Sequence, residues 1–179
     1  MNPVIIMNTE AKQAIRESVR DFRLPRYHEI PDVGLYLEQT VKYISQFLKP
    51  LGECTVTSSM VSNYVKKGLI DNPVKKQYSR AQIAYLLFIV LAKNVLSLDN
   101  LAKFIALQKR TYTTERAYDY VCAEFENVLF YVFGLKDTLD TVGVDSTDEK
   151  LMLHNTIITI ANKIYLEKCF DTMSAETGE

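Results

Sequence analysis

Apolar positions recur along this chain every three to four residues for most of its length, the pattern of helices that each bury one face. Ala11, Ile15, Val19 and Phe22 fall on one side of a first helix, which Asn8 is placed to cap, with charged residues opposite. Pro25 and Pro31 mark an extended connector. Asp32 is placed to cap a predicted helix over 33–49, with Leu37, Val41, Ile44 and Leu48 as its stripe and Pro50 and Gly52 as its stop. Ser97 opens a helix to Lys109 through Leu98, Leu101, Phe104 and Ile105. Tyr118, Val121, Cys122, Phe125, Val128, Leu129 and Val132 continue without a break, predicting a long helix over 114–133 that Gly134 ends. A last helix, opened by a capping box of Ser146 and Glu149, runs to about residue 170 on Leu153, Ile157, Ile160 and Ile164. Residues 1–7 and 174–179 are expected to be loosely held.

The stretch 57–93 has a different texture. Thr57 is placed to cap a short helix with Met60, Val61, Tyr64 and Val65 on one face, leaving Ser59, Ser62, Asn63, Lys66 and Lys67 for the other. Gly68 follows the last turn, where a residue of positive φ closes a helix. Asp71-Asn72-Pro73 is a turn signal. Leu69-Ile70 and Gln77-Tyr78 around it are predicted to pair as a small β-wing, with Lys75 and Lys76 at its tip. Cys54-Thr55-Val56 is a further short candidate strand. Ser79 and Gln82 form a capping box for a helix that is apolar nearly all round, which places it at the centre of the fold.

Composition narrows the class. Of 179 residues, 47% are apolar and 24% charged, with only 6 Gly and 5 Pro, as expected of a mainly helical globular protein. Two parts are expected, a domain over 1–110 and a helical extension over 111–179 serving dimerisation or effector binding, or both as one compact unit. The net charge of -1 gives no general attraction to polyanions, so nucleic-acid binding requires a local patch. One exists: between Thr57 and Arg80 there are five cations (Lys66, Lys67, Lys75, Lys76, Arg80) against one anion, Asp71. No apolar run approaches the roughly 18 residues of a membrane span, and the first residues lack the pattern of a secretion signal. Cys54, Cys122 and Cys169 form no CxxC pair and only His28 and His154 accompany them. Buried thiols in a reducing cytoplasm are therefore expected, without zinc or another cofactor. No phosphate loop or catalytic motif is present, so no enzyme is expected. Glu115, Glu124 and Glu126 read as solvated helix faces, His28 as a loop residue and His154 as a packed core histidine.

The segments VSNYVKKGLI and QYSRAQIAYLLFIVLAKNVLSLDNLAKFI carry a more specific signal. Tyr64, Lys66, Lys67, Gly68, Leu69, Tyr78, Ser79, Leu86, Ile89, Ser97, Leu98 and Leu101 stand where the DNA-binding module of the MerR family has matching residues. The central stretch thus resembles that module, and from about Leu24 to Ile105 the chain resembles a bacterial family of uncharacterised domains. The resemblance implies a mainly α fold with a winged helix-turn-helix, a small β-wing and a helical C-terminal extension.

The expected function is DNA-binding transcription regulation. Ser59, Ser62 and Asn63 are small polar residues suited to base edges, and Lys66, Lys67, Lys75, Lys76 and Arg80 would neutralise phosphates of double-stranded DNA. The alternative is a non-catalytic adaptor that binds another protein through the same face. The C-terminal helices carry more apolar surface than one contact hides, which suggests a homodimer or an effector pocket lined by Tyr118, Phe125, Tyr131 and Tyr165.

Overall fold

A computed structural model describes residues 7–52, 54–143 and 146–177, and the expectations for residues 1–6 and 178–179 lie outside it. The fold is mainly α with one small antiparallel sheet. The helices are α1 (Thr9–Glu17), α2 (Leu37–Leu48), α3 (Ser58–Lys66), α4 (Arg80–Ala92), α5 (Leu98–Thr111), α6 (Thr114–Val132) and α7 (Asp148–Thr177). The strands are β1 (Leu35–Tyr36) and β2 (Gln77–Tyr78).

Helix starts follow local chemistry. The side chains of Asn8, Thr57, Ser79, Ser97 and Thr113 each accept a hydrogen bond from a backbone N–H of the turn they open. At α4 the box is reciprocal, because Gln82 accepts from Ser79 N–H at 2.9 Å. The start of α7 differs from expectation: Thr147, one residue beyond Ser146, accepts from Lys150 N–H at 3.2 Å. That helix also continues to Thr177, past residue 170.

Two further expectations are corrected. The helix expected over 33–49 begins only at Leu37, with Tyr36 and not Asp32 at its N-cap position, because residues 35–36 are drawn into a strand. The strand paired with Gln77-Tyr78 is that one: Leu35 lies opposite Tyr78 and Tyr36 opposite Gln77. Leu69 and Ile70, expected in that role, are buried at 3% exposure as anchors below the turn, and residues 54–56 form no strand. Gly34 permits the observed pairing, since a Cβ there would stand 2.7 Å from Gln77 Cβ.

One cluster of buried side chains runs from Ile15 on α1 to Cys169 on α7. Its axis is α4, with eight buried residues from Ile83 to Ala92, packed against α2, α6 and α7. The most extensive helix pair is α6 with α7. The connector 23–31 is fixed to α6 by polar groups: Arg26 donates to both oxygens of Glu126 at 2.7 Å, and Leu24 N–H donates to Glu126 at 2.9 Å. Glu126 therefore holds structure rather than facing solvent. Glu124 likewise departs from expectation, being buried on α6 with His154 Nδ1 against its Oε1. No helix among the described residues is long and apolar enough to cross a membrane.

Candidate nucleic-acid interface

The short helix α3 owes its two faces to its sequence. Val61 and Tyr64 are buried at 0% and 3%, and α3 packs through them towards α2. Ser59, Ser62, Asn63 and Lys66 are all exposed at spacings that place them on one outward face. Ser62 returns its hydroxyl proton to the Ser58 carbonyl at 2.9 Å, leaving its lone pairs outward. The helix ends as a Schellman motif. Gly68 at φ 72° donates to the Val65 carbonyl and Leu69 to the Tyr64 carbonyl, both at 2.9 Å. Leu69 then turns inward beside Tyr64, while Lys66 and Lys67 remain in solvent at the helix end.

The loop beyond is built as a hairpin with a tight tip. Val74 and Gln77 exchange backbone hydrogen bonds of 3.1 and 2.9 Å, so Lys75 and Lys76 are the two central residues of the turn. Their φ angles are +50° and +64°. Two consecutive positive φ values define the turn that ordinarily calls for Asn-Gly. Lysines are placed there against the preference of their own backbone, by roughly 1–2 kcal/mol each. The base is held on two sides. Gln77 and Tyr78 pair with β1, and Gln82 Nε2 donates to the carbonyl of Asp71 at 2.8 Å and of Asn72 at 3.4 Å.

Electrostatically, the lysines stand alone. None of Lys66, Lys67, Lys75 and Lys76 forms an ion pair among the described residues. Asp71, the only anion of the stretch, lies 3.9 Å from Lys109 on α5 instead. Lys67 and Lys75 are eight residues apart, which limits their Cα separation to about 28 Å.

Arg80 is placed differently from the lysines. Its Nε donates to the Ile30 carbonyl at 2.8 Å, its guanidinium stands 5.7 Å from the Tyr27 ring centre, and Asp32 is 3.7 Å away. It braces the connector against the start of α4, with a quarter of its side chain exposed. A second brace that sequence reasoning missed is Lys93 at the end of α4. Its Nζ donates to the Thr55 carbonyl just before α3 and lies 3.8 Å from Met60 Sδ. Burial lowers its pKa from the usual lysine value.

The cysteines are all buried. Burial pushes the Cys122 thiol up to about 12, which leaves it without nucleophilic character near neutral pH. Among the described residues no cluster of His, Cys, Asp and Glu could hold a metal ion. Of the four residues expected to line an effector pocket, Tyr118 borders the cavity between α4, α5, α6 and α7; Phe125 is fully buried, Tyr131 is 46% exposed, and Tyr165 packs edge-on against Phe133 at 5.3 Å.

Fold and exposed chemistry together define a mainly helical protein that presents a short polar helix and a lysine-tipped hairpin to solvent. Residues 25–121, more than half of the chain, match the family described as Domain of unknown function (DUF1836), and the chain belongs to that family. The matched region contains α3, the hairpin and α4 entire. No curated protein and no solved structure matches the chain.

Proposed function

We propose that the protein is a cytoplasmic DNA-binding transcriptional regulator of winged helix-turn-helix type, with α3 as recognition helix and the hairpin as wing. The carrying observation is the tip of that hairpin. Two lysines occupy positions that stability alone would give to Asn and Gly, and neither is spent on an ion pair among the described residues. Cations presented on a rigid turn suit phosphates, which bind point charges without demanding a particular base.

On this reading Ser59, Ser62 and Asn63 approach base edges in the major groove, while Lys66 and Lys67 contact the backbone beside them. Ser62 and Lys76 stand where the MerR pattern carries arginines, so neutralisation falls to four lysines. Arg80 acts indirectly, by fixing the start of α4 and thereby the strand β2 that precedes it. The protein works without catalysis, and a homodimer would supply two half-sites.

Fluorescence anisotropy on duplex fragments of the organism's own genome, across a salt series, tests this. Four phosphate contacts predict a slope of log K against log salt of about −3.6. A variant with Lys66, Lys67, Lys75 and Lys76 changed to Glu should not bind. Absence of binding by the folded wild type at low salt overturns the proposal and favours a protein-docking role for the same face.

A further inference from the structure

Away from the lysine face, α4, α5, α6 and the start of α7 line a cavity of about 290 Å³ that is open to solvent on one side. Its inner wall is made of rings: Tyr85 and Phe88 from α4, Phe104 from α5 and Tyr118 from α6. Phe88 and Phe104 meet edge to face with centres 5.9 Å apart. On that wall the Tyr118 hydroxyl is buried without a hydrogen-bond partner among the described residues, whereas the polar groups around Tyr85 engage one another. Tyr85 OH donates to Gln108 Oε1 at 2.8 Å and lies 3.2 Å from Thr114 Oγ1, and Gln108 Nε2 donates to the Tyr112 carbonyl at 2.9 Å. What the interior offers an occupant is mainly apolar contact.

The rim has a different character. Arg116, exposed, and Lys150, half-buried, border the cavity from α6 and α7. Each cation is held over a ring, Arg116 at 5.1 Å from the centre of Tyr112 and Lys150 at 5.6 Å from that of Tyr120. Neither forms an ion pair among the described residues. The carboxylate at the rim, Glu149, is engaged instead by the Thr111 hydroxyl, 2.9 Å from each of its oxygens. Positive charge therefore predominates at the rim of an apolar chamber, on side chains already steadied by stacking.

We propose that this cavity binds a small carboxylic acid with an apolar body, its carboxylate at the rim facing Arg116 and Lys150 and its hydrocarbon among the rings of Tyr85, Phe88, Phe104 and Tyr118. Size narrows the class further. An apolar cavity of about 150 Å³ holds benzene. A chamber of 290 Å³ has nearly twice that room, enough for a fused two-ring aryl acid or a short fatty acid. The site uses none of the α3 or hairpin residues, so the inference stands whether or not the protein binds DNA.

The probe is 2-naphthoate, whose fluorescence can be excited beyond the tyrosine band in a chain with no Trp. Saturable 1:1 binding is expected with a Kd on the order of 10–100 μM. The neutral isostere 2-naphthamide should bind about tenfold more weakly, since it forgoes the charged contacts. Arg116→Gln with Lys150→Gln should bring the acid down to the affinity of the amide and leave the amide unchanged. Ala117→Leu, which fills the cavity from α6 without removing a core side chain, should abolish both at an unchanged Tm. No saturable binding of naphthoate up to 1 mM, equal affinity for acid and amide in the wild type, or unaltered binding in a folded Ala117→Leu protein would each overturn the proposal.

Discussion

The hairpin tip supplies a perturbation in which stability and binding move in opposite directions. Lys75 and Lys76 sit at φ +50° and +64°, where an L side chain crowds its own backbone. Replacing them by Asn and Gly, the pair that this turn prefers, relieves about 1–2 kcal/mol per residue. Glycine returns about 0.5–1 kcal/mol of that through its freer unfolded chain, and Asn retains part of the strain. The net expectation for Lys75→Asn with Lys76→Gly is about 1 kcal/mol of added stability. For a chain of this size that corresponds to a Tm rise of about 2–4 °C. The same variant removes two phosphate contacts, so its salt slope on duplex DNA should shrink by about 1.8. Urea unfolding followed by circular dichroism gives the first number, and anisotropy over the salt series gives the second. Arg at both positions is the control, keeping charge and strain and so leaving both numbers near wild type. A loss of stability in the Asn-Gly variant would refute the strained-turn account. An unchanged salt slope would refute the wing as a phosphate contact.

Other perturbations test how the site is held. Gly34→Ala places a methyl 2.7 Å from Gln77 Cβ, so it should separate β1 from β2 and cost about 1–3 kcal/mol, read by denaturation; a fully stable variant would contradict the pairing. Glu126→Gln removes the charge that meets both Arg26 nitrogens, with an expected loss of about 2 kcal/mol. In a double-mutant cycle with Arg26→Gln the losses should be less than additive, and strict additivity would show that the pair does not act as a unit. Alkaline pH gives a signed prediction. The Cys122 thiol, pushed up to about 12 by burial, keeps its proton in the folded state after the unfolded chain has lost it near the ordinary thiol value. Its contribution is therefore complete below about pH 8.5 and is lost as pH rises towards 12. Cys122→Ala should make the alkaline decline shallower by up to about 1.4 kcal/mol per pH unit, and an identical slope would contradict the shift.

Much of the fold was legible because its determinants are local. A cap needs only a side-chain oxygen and the N–H groups within three residues of it, so Thr57, Ser79 and Ser97 announce α3, α4 and α5 in the sequence. The closing turn at Gly68 is equally local. The central position of α4 follows from its all-round apolarity, which only burial on every side can accommodate. The two faces of α3 are likewise fixed by spacing alone.

Tertiary structure decided whatever depends on a partner distant in sequence. Residues 35–36 lie within a helical pattern, and only the approach of Gln77-Tyr78, permitted by Gly34, makes them a strand. Arg80 counts with the lysines in a charge tally, yet only the fold brings its guanidinium to the Ile30 carbonyl, fifty residues away. Glu124 is indistinguishable in sequence from a solvated glutamate until α7 brings His154 against it. The ring-lined cavity draws its walls from four helices, and no periodicity within any one of them encodes the space left between. Sequence by itself determined which segments are helical, the caps of α1, α3, α4 and α5, and the excess of cations between 57 and 80. The fold determined which of those cations remain unpaired, because pairing and burial are set by distances that only the folded chain creates.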